Sequence, residues 1–374
     1  MARTIVITGG GTGGHIFPMT AVADALAARG LDADVIKFVG SRRGQERTLL
    51  SSRAEETVLL PGRGIKRSLR PLALWNNVTA LVRLVFSVLI ALRLVLRWRP
   101  SVVVSVGGYA AFPMVLASVL TRRRLIFIEL DATAGLVHRV FERYATVFCF
   151  GIRPSHLPAN GRVTGVPLRP SIMGVERSFE QRSEAAARLG VDPQRHIVIV
   201  MTGSLGSATV NNAVVGLAGL WSERTDVAIV HVTGRRDFES VSQRHPETTA
   251  LEYVVLPFAD AMNDLWSVAD VALCRAGATT VAELTYLGIP SILVPLPNAP
   301  GDHQTKNAQS VVDAGGALML PDSACSANTL AAAVDDLLRE PTSRDQMGAA
   351  ARNLGRRDAA DVLATIVLEV RDGE

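Results

Sequence analysis

Short runs of β-branched residues alternate with helix-length amphipathic segments along most of this 374-residue chain. This alternation is typical of parallel strands joined by crossover helices. It stops in the Pro/Gly-rich stretch 151–175 and then restarts, which predicts two doubly wound α/β domains with a linker near 160–176. The predicted strands are 4–8, 34–39, 101–106, 125–130, 146–150, 196–203, 227–234, 252–258, 270–277 and 291–296. Ligands of such folds bind beyond the carboxyl ends of the strands, so a cleft between two facing domains is expected.

The net charge of the chain also changes sign near the predicted linker. Residues 1–165 hold 22 Lys and Arg against 9 Asp and Glu, a net charge of +13, whereas the remainder of the chain has a net charge of −9. A basic half favours an anionic partner such as a phosphorylated substrate or an acidic membrane surface. Aromatic residues are only 5% of the chain and do not interleave with the basic ones, which argues against nucleic acid.

The first strand runs into a glycine loop, GGGTGGH at 9–15. Gly9, Gly11 and Gly14 match a dinucleotide fingerprint, but the second strand ends in Val-Gly-Ser without the acidic residue that would hold a ribose. We therefore expect backbone amides at the helix N-terminus to approach another anion. His15 either caps and packs there or acts as a general base on a bound hydroxyl.

Residues 75–100 predict one long, mostly apolar helix. Arg83 and Arg93 leave only nine uninterrupted residues between them, short of the roughly 20 that a membrane span requires. Two interpretations stay open: a crossover helix buried against the sheet, or a helix that also touches the bilayer next to the basic stretch 61–71. Its polar residues fall within one arc of the helical wheel: Asn76, Thr79, Arg83, Ser87, Arg93 and Arg97.

Two stretches of the second half also carry polar signals. In CRAGATTVAE at 274–283, Thr280 and Glu283 have the spacing of a capping box. Alternatively, Glu283 accepts two ribose hydroxyls while the helix N-terminus faces a phosphate. The loop 295–308 ends in DHQTKNA, whose amide-rich character suits sugar hydroxyls, although a surface loop with an N-cap has the same composition.

Taken together, these stretches resemble the MurG family of peptidoglycan glycosyltransferases over nearly the whole chain. The matching motifs occur in the family's order and spacing: GGGTGGHIFP (9–18), SVGGYAAFP (105–113), IELDATAGL (128–136), GVPLR (165–169), TGSLGS (202–207), PFADAM (257–262), CRAGATTVAE (274–283) and DHQTKNA (302–308). The resemblance implies an α/β fold of the GT-B type, with two Rossmann-like domains facing across a cleft. It implies an acceptor- and membrane-facing domain at 1–165, joined by a C-terminal helix at 358–374, and a nucleotide-sugar domain at 166–357.

The resemblance further implies inverting transfer of N-acetylglucosamine from UDP-N-acetylglucosamine (UDP-GlcNAc) to a lipid-linked muramyl-pentapeptide. No cofactor and no metal are expected, because helix N-termini and Arg169 neutralise the leaving diphosphate. The implied partners are a UDP-sugar, a lipid-linked acceptor and an anionic membrane surface, with no nucleic acid. The expected location is the cytoplasmic face of the membrane, because the chain shows no secretory signal, no transmembrane span and no disulfide pattern among its three cysteines.

Carried onto this sequence, the resemblance implies His15 as the leading base and Asp131 as its rival. Acceptor contacts are implied for Thr12, Gly13, Gly14, Tyr109, Glu129 and Asp131. Donor contacts are implied for Thr12, Gly13, Gly14, Arg169, Gly203, Ser204, Ala259, Arg275, Ala278, Thr279, Thr280, Val281, Ala282, Glu283, His303 and Gln304, with Glu283 on the ribose.

This chain departs from the family pattern inside the expected site. The family usually has E-Q-N where this chain has Glu129-Leu130-Asp131, G-N-P at 165–167 where it has Val166, and G-G-S-Q-G at 202–206 where it has Leu205. Two alternatives follow: a related transferase acting on another lipid or natural product with a different nucleotide sugar, or a non-catalytic protein that binds sugar nucleotides.

Overall fold

The chain folds into two compact units. The computed structural model describes residues 3–11, 13–42, 44–61, 71–203 and 206–373, with backbone only for residues 71–79. Unit 1 comprises Met1–Arg169 and Asp358–Glu374, and unit 2 comprises Pro170–Arg357. The sequence-based domain limits place the division after residue 165. Each unit is built on one parallel sheet with helical crossovers, which confirms the predicted fold class.

Unit 1 is built on a seven-stranded sheet with the order β3-β2-β1-β4-β5-β6-β7. Its elements are β1 (Ile5–Thr8), α1 (Gly13–Ala27), β2 (Ile36–Ser41), α2 (Glu46–Leu49), β3 (Glu56–Leu60), α3 (Pro71–Trp98), β4 (Val102–Ser105), α4 (Phe112–Leu120), β5 (Arg124–Glu129), α5 (Leu136–Phe141), β6 (Val147–Phe150) and β7 (Gly161–Val163). β7 lies inside the stretch that the sequence analysis predicts as a linker.

The order of the sheet in unit 1 reverses between β1 and β4, where the chain crosses from one half of the sheet to the other. These central strands are fully buried and consist of Ile, Val, Thr and Ser, because a parallel strand covered on both faces needs apolar, β-branched residues. The loops after β1, β4 and β5 therefore leave the same edge of the sheet, at the position where such folds bind ligands.

Unit 2 repeats this plan in a six-stranded sheet with the order β10-β9-β8-β11-β12-β13. Its elements are α6 (Pro170–Met173), α7 (Phe179–Leu189), β8 (His196–Met201), α8 (Ala208–Leu220), β9 (Val227–Val232), α9 (Phe238–Ser242), β10 (Glu252–Leu256), α10 (Met262–Val268), β11 (Val271–Cys274), α11 (Ala278–Leu287), β12 (Ser291–Leu293), α12 (His303–Val312), β13 (Ala317–Met319), α13 (Ala327–Arg339) and α14 (Pro341–Leu354). The last helix, α15 (Ala359–Asp372), packs on α1 in unit 1.

Helix α3 buries mostly small residues on one face and exposes large apolar residues on another. Ala80, Ser87, Ala91 and Val95 are buried where α3 packs on α4. Ser87 belongs to the predicted polar arc, and its burial is possible because its hydroxyl donates to the Arg83 carbonyl at 2.8 Å. Six apolar side chains are more than half exposed and form what we call the exposed apolar face of α3: Leu81, Val82, Val85, Phe86, Leu89 and Leu96. Among the described residues, no helix combines the length and apolarity needed to cross a membrane.

Candidate active site

A buried carboxylate holds the glycine loop of unit 1. Glu46, the first residue of α2, is fully buried, and its Oε1 accepts the amide protons of Gly11 at 2.9 Å and Ser41 at 3.0 Å. Gly10 has φ of 124°, and a Cβ there would overlap the Glu46 carboxylate, so the position requires glycine. The Gly11 amide, which belongs to the glycine loop before α1, is therefore already paired within the protein.

His15 is the third residue of α1, at the carboxyl edge of the sheet. Burial lowers the pKa of His15 below its ordinary value because it disfavours the imidazolium, and the negative charges of Glu129 and Asp131 oppose this shift. The imidazole is consequently neutral at pH 7 and can accept a proton. The same carboxylates would stabilise the imidazolium once a proton has been transferred.

Glu129 ends β5 and belongs to a buried chain of polar groups. Its Oε2 accepts the Gly135 amide proton at 2.7 Å and lies 3.0 Å from Nδ1 of His138. Nε2 of the same ring lies 2.9 Å from Oγ of Ser105, the last residue of β4. Hydrogen bonds from His138 and Gly135 keep the pKa of Glu129 below its ordinary value despite burial, which favours the carboxylate.

The other unit 1 candidates surround the same loops. The Tyr109 hydroxyl donates to Ser41 Oγ at 3.2 Å, and Asp131 lies half-buried in the loop after β5. The Arg169 guanidinium lies 4.5 Å from the ring centroid of Phe17, which follows His15 on α1. Gly13 and Gly14 form the first turn of α1, and Thr12 lies outside the described residues.

In unit 2, helix α11 begins one turn earlier than the capping box requires. Gly277 is its N-cap residue, so Thr280 lies inside the helix and the capping-box interpretation is wrong. Glu283 is instead buried inside unit 2, where Trp266 Nε1 donates to its Oε2 at 2.8 Å. The Val281 amide donates to the Gly277 carbonyl at 2.9 Å, whereas the amides of Ala278, Thr279 and Thr280 precede the first intrahelical acceptor, which makes this helix end suitable for an anion. This first turn contains Ala278, Thr279, Thr280 and Val281, and Ala282 follows it.

Arg275 follows β11 and is held by groups of its own unit. Its guanidinium donates to the carbonyls of Val294 at 3.1 Å and Pro295 at 2.9 Å and to the Ser207 hydroxyl, and it pairs with Asp322 at 2.6 Å. These contacts join the loops after β8, β11 and β12 at one edge of the sheet. A direct contact of Arg275 with the donor stays a prediction.

The remaining donor candidates of unit 2 lie in the loops that follow its strands or, for His303 and Gln304, at the start of α12. Gly203 follows β8 with φ of 87°, and Ser204 lies outside the described residues. Ala259 is half-buried between β10 and α10. Gln304 Oε1 accepts the Leu296 amide proton at 2.9 Å, and His303 Nδ1 lies 2.9 Å from the Pro300 carbonyl oxygen. Gln304 thus ties the start of α12 to the loop after β12.

Within unit 1, His15, Glu129 and Asp131 interact electrostatically and form one cluster, while their roles in the reaction stay predictions. The structure adds Glu46 and His138, which the sequence analysis missed. Neither residue lies in a motif, since Glu46 comes five residues after the strand end and His138 two residues after the matched block 128–136. Within the described part of the chain, no group of three or more His, Cys, Asp or Glu side chains has a metal-binding arrangement.

Two family models match this chain. The glycosyltransferase family 28 N-terminal domain matches residues 5–149, and the C-terminal domain of the same family matches residues 197–363. The two matches coincide with the sheets of unit 1 and unit 2. Between them they cover most of the residues that contribute to the candidate site.

Two relatives that match over nearly their full length are named UDP-N-acetylglucosamine–N-acetylmuramyl-(pentapeptide) pyrophosphoryl-undecaprenol N-acetylglucosamine transferase. The chain is 34% identical over 372 residues to that of Desulforudis audaxviator, with 97% of each chain covered. It is 37% identical over 371 residues to that of Alkalilimnicola ehrlichii, with 99% of each covered. The crystal structure of Acinetobacter baumannii MurG matches with a TM-score of 0.77 at 25% identity, over 98% of this chain and 99% of that one. The chain therefore belongs to the MurG family of glycosyltransferases.

Proposed function

We propose that this enzyme transfers N-acetylglucosamine from UDP-GlcNAc to a lipid-linked N-acetylmuramyl-pentapeptide, with inversion at the anomeric carbon. The observation that carries the proposal is the match, at 34% and 37% identity over nearly the full length, to relatives named for this reaction. The cluster around His15 supplies what the chemistry needs: a neutral base beside carboxylates that stabilise its protonated form.

In the proposed step, an acceptor hydroxyl oxygen attacks the anomeric carbon from the side opposite UDP. The new C–O bond forms as the bond to the diphosphate breaks, and the electron pair of the broken bond leaves with UDP. The hydroxyl proton passes to the imidazole of His15. Glu129 and Asp131 favour this transfer because their negative charges stabilise the imidazolium as it forms.

Unit 2 would bind the donor through α11 and Glu283. The positive end of the α11 dipole and its first-turn amides favour the diphosphate, and the Glu283 carboxylate accepts hydrogen bonds from the ribose hydroxyls. Trp266 supports this role because its hydrogen bond holds Glu283 in one rotamer. In this proposal the diphosphate is neutralised without a metal ion, by helix N-termini and Arg169.

The proposal is tested with purified enzyme, UDP-GlcNAc and the lipid-linked muramyl-pentapeptide. We expect UDP release and a lipid-linked disaccharide, both of which depend on the acceptor. UDP release only with a different acceptor or nucleotide sugar would favour a related transferase instead. Failure of UDP-GlcNAc to bind in calorimetry would contradict the proposal altogether.

Asp131 is the alternative candidate for the general base. The variant Asp131→Asn distinguishes whether His15 or Asp131 accepts the proton. If His15 is the base, we expect kcat at pH 8 to stay within about 5-fold of wild type. Because the negative charge of Asp131 raises the pKa of His15, its removal should move the acid limb of the kcat/KM profile to lower pH. A loss of about 100-fold or more at every pH would assign the proton transfer to Asp131.

We further propose that the enzyme binds the cytoplasmic face of the membrane through the exposed apolar face of α3. Arg83, Arg93 and Arg97 are exposed on the same helix and would contact anionic headgroups while the apolar side chains enter the interface. All three cysteines are unpaired in the structure, which agrees with a reducing compartment.

The double variant Phe86→Ser/Leu89→Ser tests this surface. Burying two such side chains contributes about 2–3 kcal/mol to membrane binding, so binding to phosphatidylglycerol vesicles should weaken at least about 10-fold in a sedimentation assay. The matched control is Phe179→Ser/Leu220→Ser, which removes two exposed apolar side chains of unit 2. Equal vesicle binding by the two double variants would contradict the assignment to α3.

A further inference from the structure

When Glu129 is ionised and the His138 ring is neutral, the polar chain at the end of β4 and β5 has one consistent hydrogen-bond direction. A carboxylate can only accept, so His138 Nδ1 must donate to Glu129 Oε2, as the Gly135 amide does. In the neutral ring Nε2 then accepts from the Ser105 hydroxyl, whose oxygen in turn accepts the Gly107 amide proton at 3.4 Å. Glu129 therefore sets the tautomer of His138, and the Ser105 hydroxyl, which can donate or accept, satisfies the other ring nitrogen.

Packing fixes the His138 ring in this orientation. The ring stacks on Phe127 with centroids 4.5 Å apart and meets Phe148 edge-on at 5.7 Å. Gly107 closes the remaining side, where it adopts φ of 86° and a Cβ would lie 3.3 Å from His138 Cε1. The side chain of His138 is almost fully buried, so it is shielded from direct contact with a substrate, and its hydrogen bond to Glu129 links it to the candidate site.

We propose that His138 is a positioning residue of the transfer reaction: it anchors the Glu129 carboxylate at the electrostatic cluster around His15. This inference rests on the proposed function, because Glu129 is the group that would contact the acceptor and favour protonation of His15. A carboxylate held by two donors on one oxygen keeps its position and its charge, whereas a loosened one would turn away from the base. Misplacement of such a group by about 1 Å can reduce a rate about 100-fold.

Replacing His138 with asparagine or with glutamine distinguishes positioning of Glu129 from a packing role of the ring. The Asn amide nitrogen reaches the position of Nδ1 and can donate to Glu129, whereas the longer Gln side chain places its amide near Nε2 and Ser105. Both variants remove the aromatic ring and introduce the same amide. A purely structural role would therefore lower kcat only in step with Tm, whereas anchoring of Glu129 predicts that kcat differs between the Asn and Gln variants beyond any difference in Tm.

The experiment compares His138→Asn, His138→Gln and His138→Leu in the disaccharide assay at saturating UDP-GlcNAc, with Tm and UDP-GlcNAc affinity as controls. We expect His138→Asn to keep kcat within about 5-fold of wild type, and the Gln and Leu variants to lose about 10- to 100-fold. UDP-GlcNAc affinity should stay unchanged in all three, because the donor candidates of unit 2 are untouched.

The outcomes separate this inference from the proposed function. If wild type forms no disaccharide with this donor and acceptor, the proposed function fails. If wild type is active but the Asn and Gln variants have equal kcat, His138 does not position Glu129 and the inference is overturned. A loss of kcat that follows only the loss of Tm across the three variants would overturn it in the same way.

Discussion

Replacing His15 with alanine should lower kcat by about 10²- to 10⁴-fold, the range for loss of a general base. The negative charges of Glu129 and Asp131 both raise the pKa of His15, against the larger lowering by burial. Wild type should lose kcat/KM as the pH falls through the His15 pKa, which burial places below 6.5. That acid limb should be absent from the residual activity of His15→Ala.

The matched control is His156→Ala, which removes an exposed histidine of unit 1 and should leave kcat within about 2-fold of wild type. UDP-GlcNAc affinity, measured by calorimetry, should change little in His15→Ala because most of the proposed donor contacts are in unit 2. A His15→Ala enzyme that keeps more than about a third of wild-type kcat would contradict the assignment of the base.

Replacing Glu283 with glutamine should raise the KM for UDP-GlcNAc about 10- to 100-fold, with a smaller effect on kcat. Hydrogen bonds to a charged group contribute about 1.5–3 kcal/mol, which corresponds to this change in affinity. The amide oxygen of glutamine still accepts the proton of Trp266 Nε1, so the fold of unit 2 should remain intact.

Glu247→Gln serves as the control because Glu247 is an exposed carboxylate of the same unit. Its KM for UDP-GlcNAc should equal that of wild type, and Tm should confirm that both variants are folded. If both variants have the same KM for UDP-GlcNAc, Glu283 does not hold the ribose, and Trp266 binds it for a structural reason alone.

The sequence predicts the interior of both sheets well and their edges poorly. Each of the ten predicted strands overlaps an observed one, because buried parallel strands consist of uninterrupted β-branched runs. The three missed strands, β3, β7 and β13, are all edge strands of three to five residues. The fourth edge strand, β10, was predicted because it retains an apolar run, which the other three, being short or partly exposed, do not show clearly.

In the candidate site, too, the residues within local motifs were predicted and the residues outside them were missed. His15 and Glu129 follow strand ends in recognisable motifs, and the structure places them in one cluster. Glu46 and His138 lie outside the motifs, and each has one partner far away in the sequence: Glu46 binds Gly11, 35 residues away, and His138 binds Ser105, 33 residues away. Local spacing also gave a wrong prediction at Thr280. The spacing to Glu283 predicted a capping box, but the N-cap residue of α11 is Gly277, three residues earlier.

The central claim is that this enzyme transfers N-acetylglucosamine by direct displacement, with His15 as the base. The most direct measurement is the anomeric configuration of the lipid-linked disaccharide, determined by NMR on product made by wild type. Because the sugar of UDP-GlcNAc is α-linked, a single displacement predicts a β-linked product that His15→Ala forms about 10²- to 10⁴-fold more slowly. An α-linked product, or a β-linked product formed at an equal rate without His15, would contradict it.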